Sequence, residues 1–151
     1  MKRLLLSALL AALWTSAATA DEMAEFNKTL RGTWAVTTLA LIDGKDKALG
    51  VVTWTFDGEA VIVREDGKET VRWEYCLKPC KELPVIEFTA TRDGETRLLL
   101  RGVLDPVGDK LTVVMRSASA TQRDLPPFLV PAVAESIGRE RSIVMTFTRE
   151  K

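Results

Sequence analysis

Apolar and polar residues alternate in short runs from Gly32 onward, and a helical period is almost absent. In one such run Val71, Trp73 and Tyr75 fall on one face, with Thr70, Arg72 and Glu74 on the other. The same split gives Val52, Trp54 and Phe56; Ile86, Phe88 and Ala90; Leu111, Val113 and Met115; and Ile143, Met145 and Phe147. A period of two residues marks a half-buried strand. It predicts eight strands: Thr33 to Leu41, Val51 to Phe56, Ala60 to Arg64, Glu69 to Leu77, Pro84 to Thr91, Thr96 to Leu104, Lys110 to Arg116 and Arg141 to Arg149. Between them stand Asp43-Gly44, Asp57-Gly58, Asp66-Gly67, Asp93-Gly94 and Gly108-Asp109, dipeptides that accept the positive φ angles of tight hairpin turns. Neighbouring strands are therefore expected to pair antiparallel.

Eight half-buried strands in meander order can close into a barrel, which leaves no exposed edge. A two-sheet sandwich competes, but Greek-key sandwiches need longer crossovers than these hairpins supply. The expected fold is all-β: an eight-stranded antiparallel up-and-down barrel with a long loop before the last strand. Strand parity sorts the connections into two rims. The turns at Asp57-Gly58, Cys76 to Cys80 and Pro106 to Asp109 share one end, the base, with Trp34 and Arg149. Those at Asp43-Gly44, Asp66-Gly67 and Asp93-Gly94 share the other end, the mouth, with the long segment Ser117 to Glu140. That segment contains Leu125-Pro126-Pro127-Phe128-Leu129-Val130-Pro131 and a short helix expected through Ala132 to Ile137. So long a loop usually carries function or covers something, and its apolar stretch suits a lid.

Ahead of the strands, Lys2 and Arg3, the apolar run Leu4 to Leu13 and Ala18-Thr19-Ala20 have the pattern of a secretory leader, with cleavage expected after Ala20. Ser7, Thr15 and Ser16 interrupt a stretch already shorter than the roughly 20 apolar residues of a membrane span. Residues 21 to 151 are thus expected to form one domain in a periplasm or outside the cell, with no membrane span in the mature chain. The full chain has 21 Lys and Arg against 21 Asp and Glu. Losing Lys2 and Arg3 with the leader leaves 19 against 21, a net charge of two negative. Nothing basic gathers on one face, so nucleic acid is not an expected partner.

Cys76 and Cys80 are the only cysteines. In an oxidising compartment they are expected to form a disulfide that braces the base, adding little stability because a five-residue loop has little closure entropy to lose. A redox-active pair is the rival, disfavoured because the spacing is not C-x-x-C and no helix start stands beside it.

Phe26-Asn27, Leu30 and Gly32-Thr33-Trp34 at the first strand resemble the G-x-W start of lipocalins. With Asp43-Gly44-Lys45, Thr55-Phe56-Asp57-Gly58, Ile86-Glu87-Phe88-Thr89, Leu104-Asp105, Gly108-Asp109-Lys110-Leu111 and Phe147-Thr148-Arg149, the whole mature chain is similar to the lipocalin-like domain of uncharacterised secreted proteins of planctomycete-type bacteria. Two features depart from that pattern: a longer, Pro-richer last loop, and the cysteine pair. The resemblance implies a barrel in which Arg149 packs over Trp34 and closes the base, a cation over an indole face contributing about 0.5 to 2 kcal/mol. It implies no activity, and the pair is structural.

The inward positions nearest the mouth are Val52, Trp54, Val71, Trp73, Phe88, Leu98, Met115 and Ile143, with Phe128 able to fold down over them. Trp54, Trp73, Phe88, Leu98, Met115 and Phe128 are the candidate lining of a ligand site. A barrel of eight strands is just wide enough to be filled by its side chains or to hold one small ligand. Both readings stay open: a secreted barrel binding a small apolar or amphipathic ligand at its open end, or a packed barrel acting as a protein-interaction or envelope module through Leu125 to Val133. An enzyme is not expected. With no histidine, a Ser-His-Asp triad, a Cys-His dyad, a His-ligated zinc or a proximal-His haem cannot be built. The acids stand singly, and Ser117, Ser119 and Ser136 lack a base or oxyanion motif. Asp43 with Asp46 falls far short of a calcium loop, so neither metal nor cofactor is expected.

Overall fold

The computed structural model describes residues 20–41, 49–80, 83–139 and 142–151. The expected leader, the Asp43-Gly44 turn and the expected start of the last strand at Arg141 lie outside the described residues. A helix, α1 (residues 20–30), leads into β1 (Gly32–Leu41), followed by β2 (Val52–Phe56), β3 (Ala60–Glu65), β4 (Lys68–Lys78), β5 (Val85–Arg92), β6 (Glu95–Val107) and β7 (Lys110–Ser117). A 3-10 turn (Gln122–Asp124) and α2 (Val130–Arg139) precede β8 (Ile143–Arg149). The eight runs of alternation are these eight strands, displaced by at most three residues at their ends.

Each strand pairs antiparallel with its neighbour, and β8 returns to β1 to close the barrel. In that seam Trp34 stands opposite Arg149, Val36 opposite Phe147 and Leu41 opposite Ile143. Asp66 and Asp93 take φ of 50° and 51°, each followed by a glycine at 79°, as a two-residue turn with both central residues left-handed requires.

The core is the barrel interior. Trp54 sits among Phe147, Trp73, Phe88 and Phe56, with ring centroids 5.2, 5.6, 5.6 and 6.2 Å away. Most of these pairs meet edge to face, the arrangement ring quadrupoles favour. At the base, α1 supplies Leu30 and Phe26 to the core, and the Trp34 indole donates to the Leu30 carbonyl at 2.8 Å. The Arg149 guanidinium lies 4.1 Å from the Trp34 ring centroid and donates to the carbonyls of Arg31 and Thr29. Tyr75 donates to Asn27 Oδ1 at 2.7 Å, and burial, helped by the Asp57 carboxylate, pushes its phenol up to about 12.

Two expectations are corrected here. Cys76 and Cys80 are not bonded to each other. β4 runs extended through Lys78, two residues of about 3.3 Å rise each. The chain would have to double back at once for the Cα atoms to come within the roughly 7 Å that a disulfide spans. The Cys76 thiol instead faces Glu87 Oε2 at 3.7 Å, and burial, with the Glu87 charge, raises its pKa.

Leu98, expected inward, pairs with Thr89, which pairs with the exposed Glu74, so it belongs to the outer row. A register shift between Phe88 and Thr89 inserts Leu99 as an extra residue, and Leu99 and Leu100 are both buried. A β-bulge of this kind reverses the parity of everything beyond it.

Candidate functional site

The pairing of β4 with β5 ends at Glu74 and Thr89. Toward the mouth, β4 keeps only its bonds to β3 and β5 only its bonds to β6, and a cleft of about 770 Å³ opens between them. Val71, Trp73 and Ala90 give it an apolar floor, and Arg72, Arg92, Glu74 and Glu59 stand around it.

The long loop bridges this split. Leaving β7, it runs over β6, with the Ala118 N–H donating to the Leu99 carbonyl at 2.8 Å. Its 3-10 turn then touches both separated strands. The Trp73 indole N–H, from β4, donates to the Asp124 carbonyl at 2.8 Å. Arg92, from β5, donates to the Arg123 carbonyl at 2.7 Å and stands 3.6 Å from the Asp124 carboxylate. That carboxylate is buried and accepts the Thr121 N–H at 2.9 Å and the Thr121 hydroxyl at 2.7 Å. Burial alone would raise the Asp124 pKa, but the two Thr121 bonds and the charges of Arg92 and Arg97 outweigh it and hold the acid below its ordinary value. On the turn's other side lies a second cleft of about 550 Å³, bordered by Arg97, Leu99 and Thr121.

Beyond the turn the chain crosses the mouth. Leu125, Leu129, Ala132 and Val133 are buried in the core, and Phe128 packs against it half-buried. The Phe128 N–H donates to Glu65 Oε1 at 3.1 Å, tying the lid to the end of β3. α2 packs against β7, β1 and β8.

The docking patch expected at Leu125 to Val133 is thereby corrected: Leu125, Leu129, Ala132 and Val133 are buried, Phe128 and Val130 are half-buried, and Pro127 and Pro131 alone are exposed, too little for an exposed apolar patch. The open end expected for a ligand is likewise covered by this lid. Of the candidate lining residues, Trp54, Trp73, Phe88 and Met115 come together in the interior, Phe128 joins from the lid, and Leu98 lies on the outer wall. The filled ring cluster leaves Trp73 as the candidate that also reaches the cleft.

Asp124, Thr121 and Arg92 were not candidates on sequence. Thr121 and Asp124 do have the spacing of a capping pair, which could have marked the turn; nothing local joins them to Arg92 or Trp73. One polar atom in the interior is unmatched: Trp54 Nε1 is buried with no hydrogen-bond partner among the described residues.

Against known families, curated proteins and solved structures, the chain matches none.

A further polar cluster lies on the outer wall. Glu87 is held by Lys78 at 2.7 Å and by Arg101, which keep its carboxyl below the usual range against the cost of burial. Among the described residues no group of acids and thiols is placed to hold a metal ion, and no helix is long and apolar enough to cross a membrane.

Proposed function

We propose that this chain is an exported lipocalin-like barrel that binds one small amphipathic molecule at the split between β4 and β5, beneath the lid turn, and acts by carriage rather than catalysis. The observation that carries this reading is the lapse of β4–β5 pairing over an apolar floor, bridged by polar contacts rather than by close packing. The neutral Trp73 bond contributes about 1 kcal/mol net and the bond from the charged Arg92 about 1.5 to 3, so the turn can leave at a cost of a few kcal/mol while the barrel stays closed. A cleft of this volume lies within the range of small-molecule sites, roughly 300 to 1,000 Å³. Export rests on the leader expected in residues 1 to 20.

The test is fluorescence titration of the mature chain with N-phenyl-1-naphthylamine, a neutral amphiphile. Saturable binding of one probe per chain is expected; a linear, unsaturable response overturns the reading. The filled aromatic interior favours a second reading, a packed barrel without cargo acting through its outer wall. That unsaturable response is the result it predicts.

A further inference from the structure

The turn presents oxygen atoms to the barrel, and the barrel presents hydrogen-bond donors to the turn. Its Asp124 carbonyl, Arg123 carbonyl and Asp124 carboxylate meet the Trp73 N–H and the Arg92 guanidinium. If the turn swings out, those wall groups lose their acceptors and face the cleft as free donors. Arg97, on the adjacent strand, adds positive charge at the same place. A wall of donors over an apolar floor is complementary to an oxyanion carried on an apolar body.

We infer that the 121–124 turn occupies a carboxylate site on its own barrel, and that the ligand is an amphipathic carboxylate that displaces it. Its acid group takes the place of Asp124 on Arg92 and Trp73, and its chain lies along Val71, Ala90 and Leu99. The other acids near the cleft do not compete for this place. Glu95 is exposed and paired with Arg97 at 3.2 Å, Asp93 is exposed in the β5–β6 turn, Glu69 is paired with Arg72 at 3.3 Å, and Glu59 and Glu74 are exposed at the cleft margin. Asp124 is the buried acid, and it leaves with the turn.

This inference rests on the cleft being a ligand site, and the experiment separates the two. Calorimetric titration of the mature chain compares decanoate with 1-decanol, then repeats both with Arg92→Gln, Arg92→Lys and Asp124→Asn after circular dichroism confirms folding. Decanoate is expected to bind about tenfold or more tighter than the alcohol, the worth of one charge-assisted hydrogen bond. Arg92→Gln removes the difference, Arg92→Lys restores part of it, and Asp124→Asn tightens decanoate by weakening its internal rival. Equal binding of acid and alcohol overturns the carboxylate inference and leaves the ligand site standing. Absence of binding by either overturns both. Should Arg92→Gln fail to fold, the comparison of acid with alcohol in the unaltered protein decides.

Discussion

Trp54 and Trp73 form a matched pair of buried indoles whose ring centroids lie 5.6 Å apart, and replacing each by Phe removes the same atoms from two electrostatically opposite settings. Both changes lose similar ring packing in the same core, so that cost largely cancels between them. Trp73→Phe also loses the bond to the Asp124 carbonyl, about 1 kcal/mol net, and strands a carbonyl whose desolvation costs about 1 to 3 kcal/mol where water cannot reach it. Trp54→Phe deletes a donor that has no partner among the described residues, recovering about 1 to 3 kcal/mol of the same kind of penalty. Trp73→Phe is therefore expected to be the more destabilising by about 3 kcal/mol or more, at least about 9 °C in melting temperature for a chain of this size. Thermal and urea unfolding of ligand-free protein measures the difference. Equal losses, or a larger loss for Trp54→Phe, refute the assignment of one satisfied and one unsatisfied indole.

Arg149→Ala removes the cation over Trp34 and two bonds to the carbonyls of Arg31 and Thr29, so urea unfolding is expected to show a loss of about 2 to 3 kcal/mol, only partly recovered by Lys. Gly102→Ala places a Cβ 2.6 Å from the Val114 carbonyl oxygen, a backbone atom, and a loss of about 2 kcal/mol is expected from the overpacking; a neutral result in the same assay contradicts the close approach of β6 and β7. Asp124 and Glu87 both have depressed pKa values in the fold, so the stability they contribute is present above the ordinary carboxylate range and is lost as pH falls below about 4. Melting curves taken down to about pH 3 should show that loss, and the Glu87→Gln, Asp124→Asn double variant should flatten it. Thiol titration of the unfolded chain, prepared without reductant, is expected to find both Cys76 and Cys80 free; a mass lower by two hydrogens contradicts this.

The barrel was readable because its cause is local. A two-residue alternation decides which face of each strand is buried, Asp-Gly pairs decide where strands reverse, and an even number of strands brings Arg149 back beside Trp34. Features that depend on register were not readable in the same way. One added residue at Leu99 moved Leu98 to the outer wall, and nothing in Thr96 to Leu104 distinguishes the bulged from the regular strand. α1 left a faint trace in Met23, Phe26 and Leu30, spaced as one helical face, but three positions are few beside eight alternating runs. Phe128-Leu129-Val130 marks the lid, and there Leu129 is buried while Phe128 and Val130 are half-buried. The site beneath it depends on where β4 and β5 stop pairing and on contacts 31 and 51 residues apart in the chain, which no local pattern encodes.

The most direct test is a ¹H–¹⁵N spectrum of the indole groups of residues 21 to 151, recorded during titration with decanoate. Trp73 and its neighbour Trp54 are expected to shift as the turn gives up its hold on the Trp73 N–H, while Trp34, bonded to Leu30 at the opposite end, stays in place. Movement of Trp34 alone, or of none of the three, contradicts binding at the split between β4 and β5.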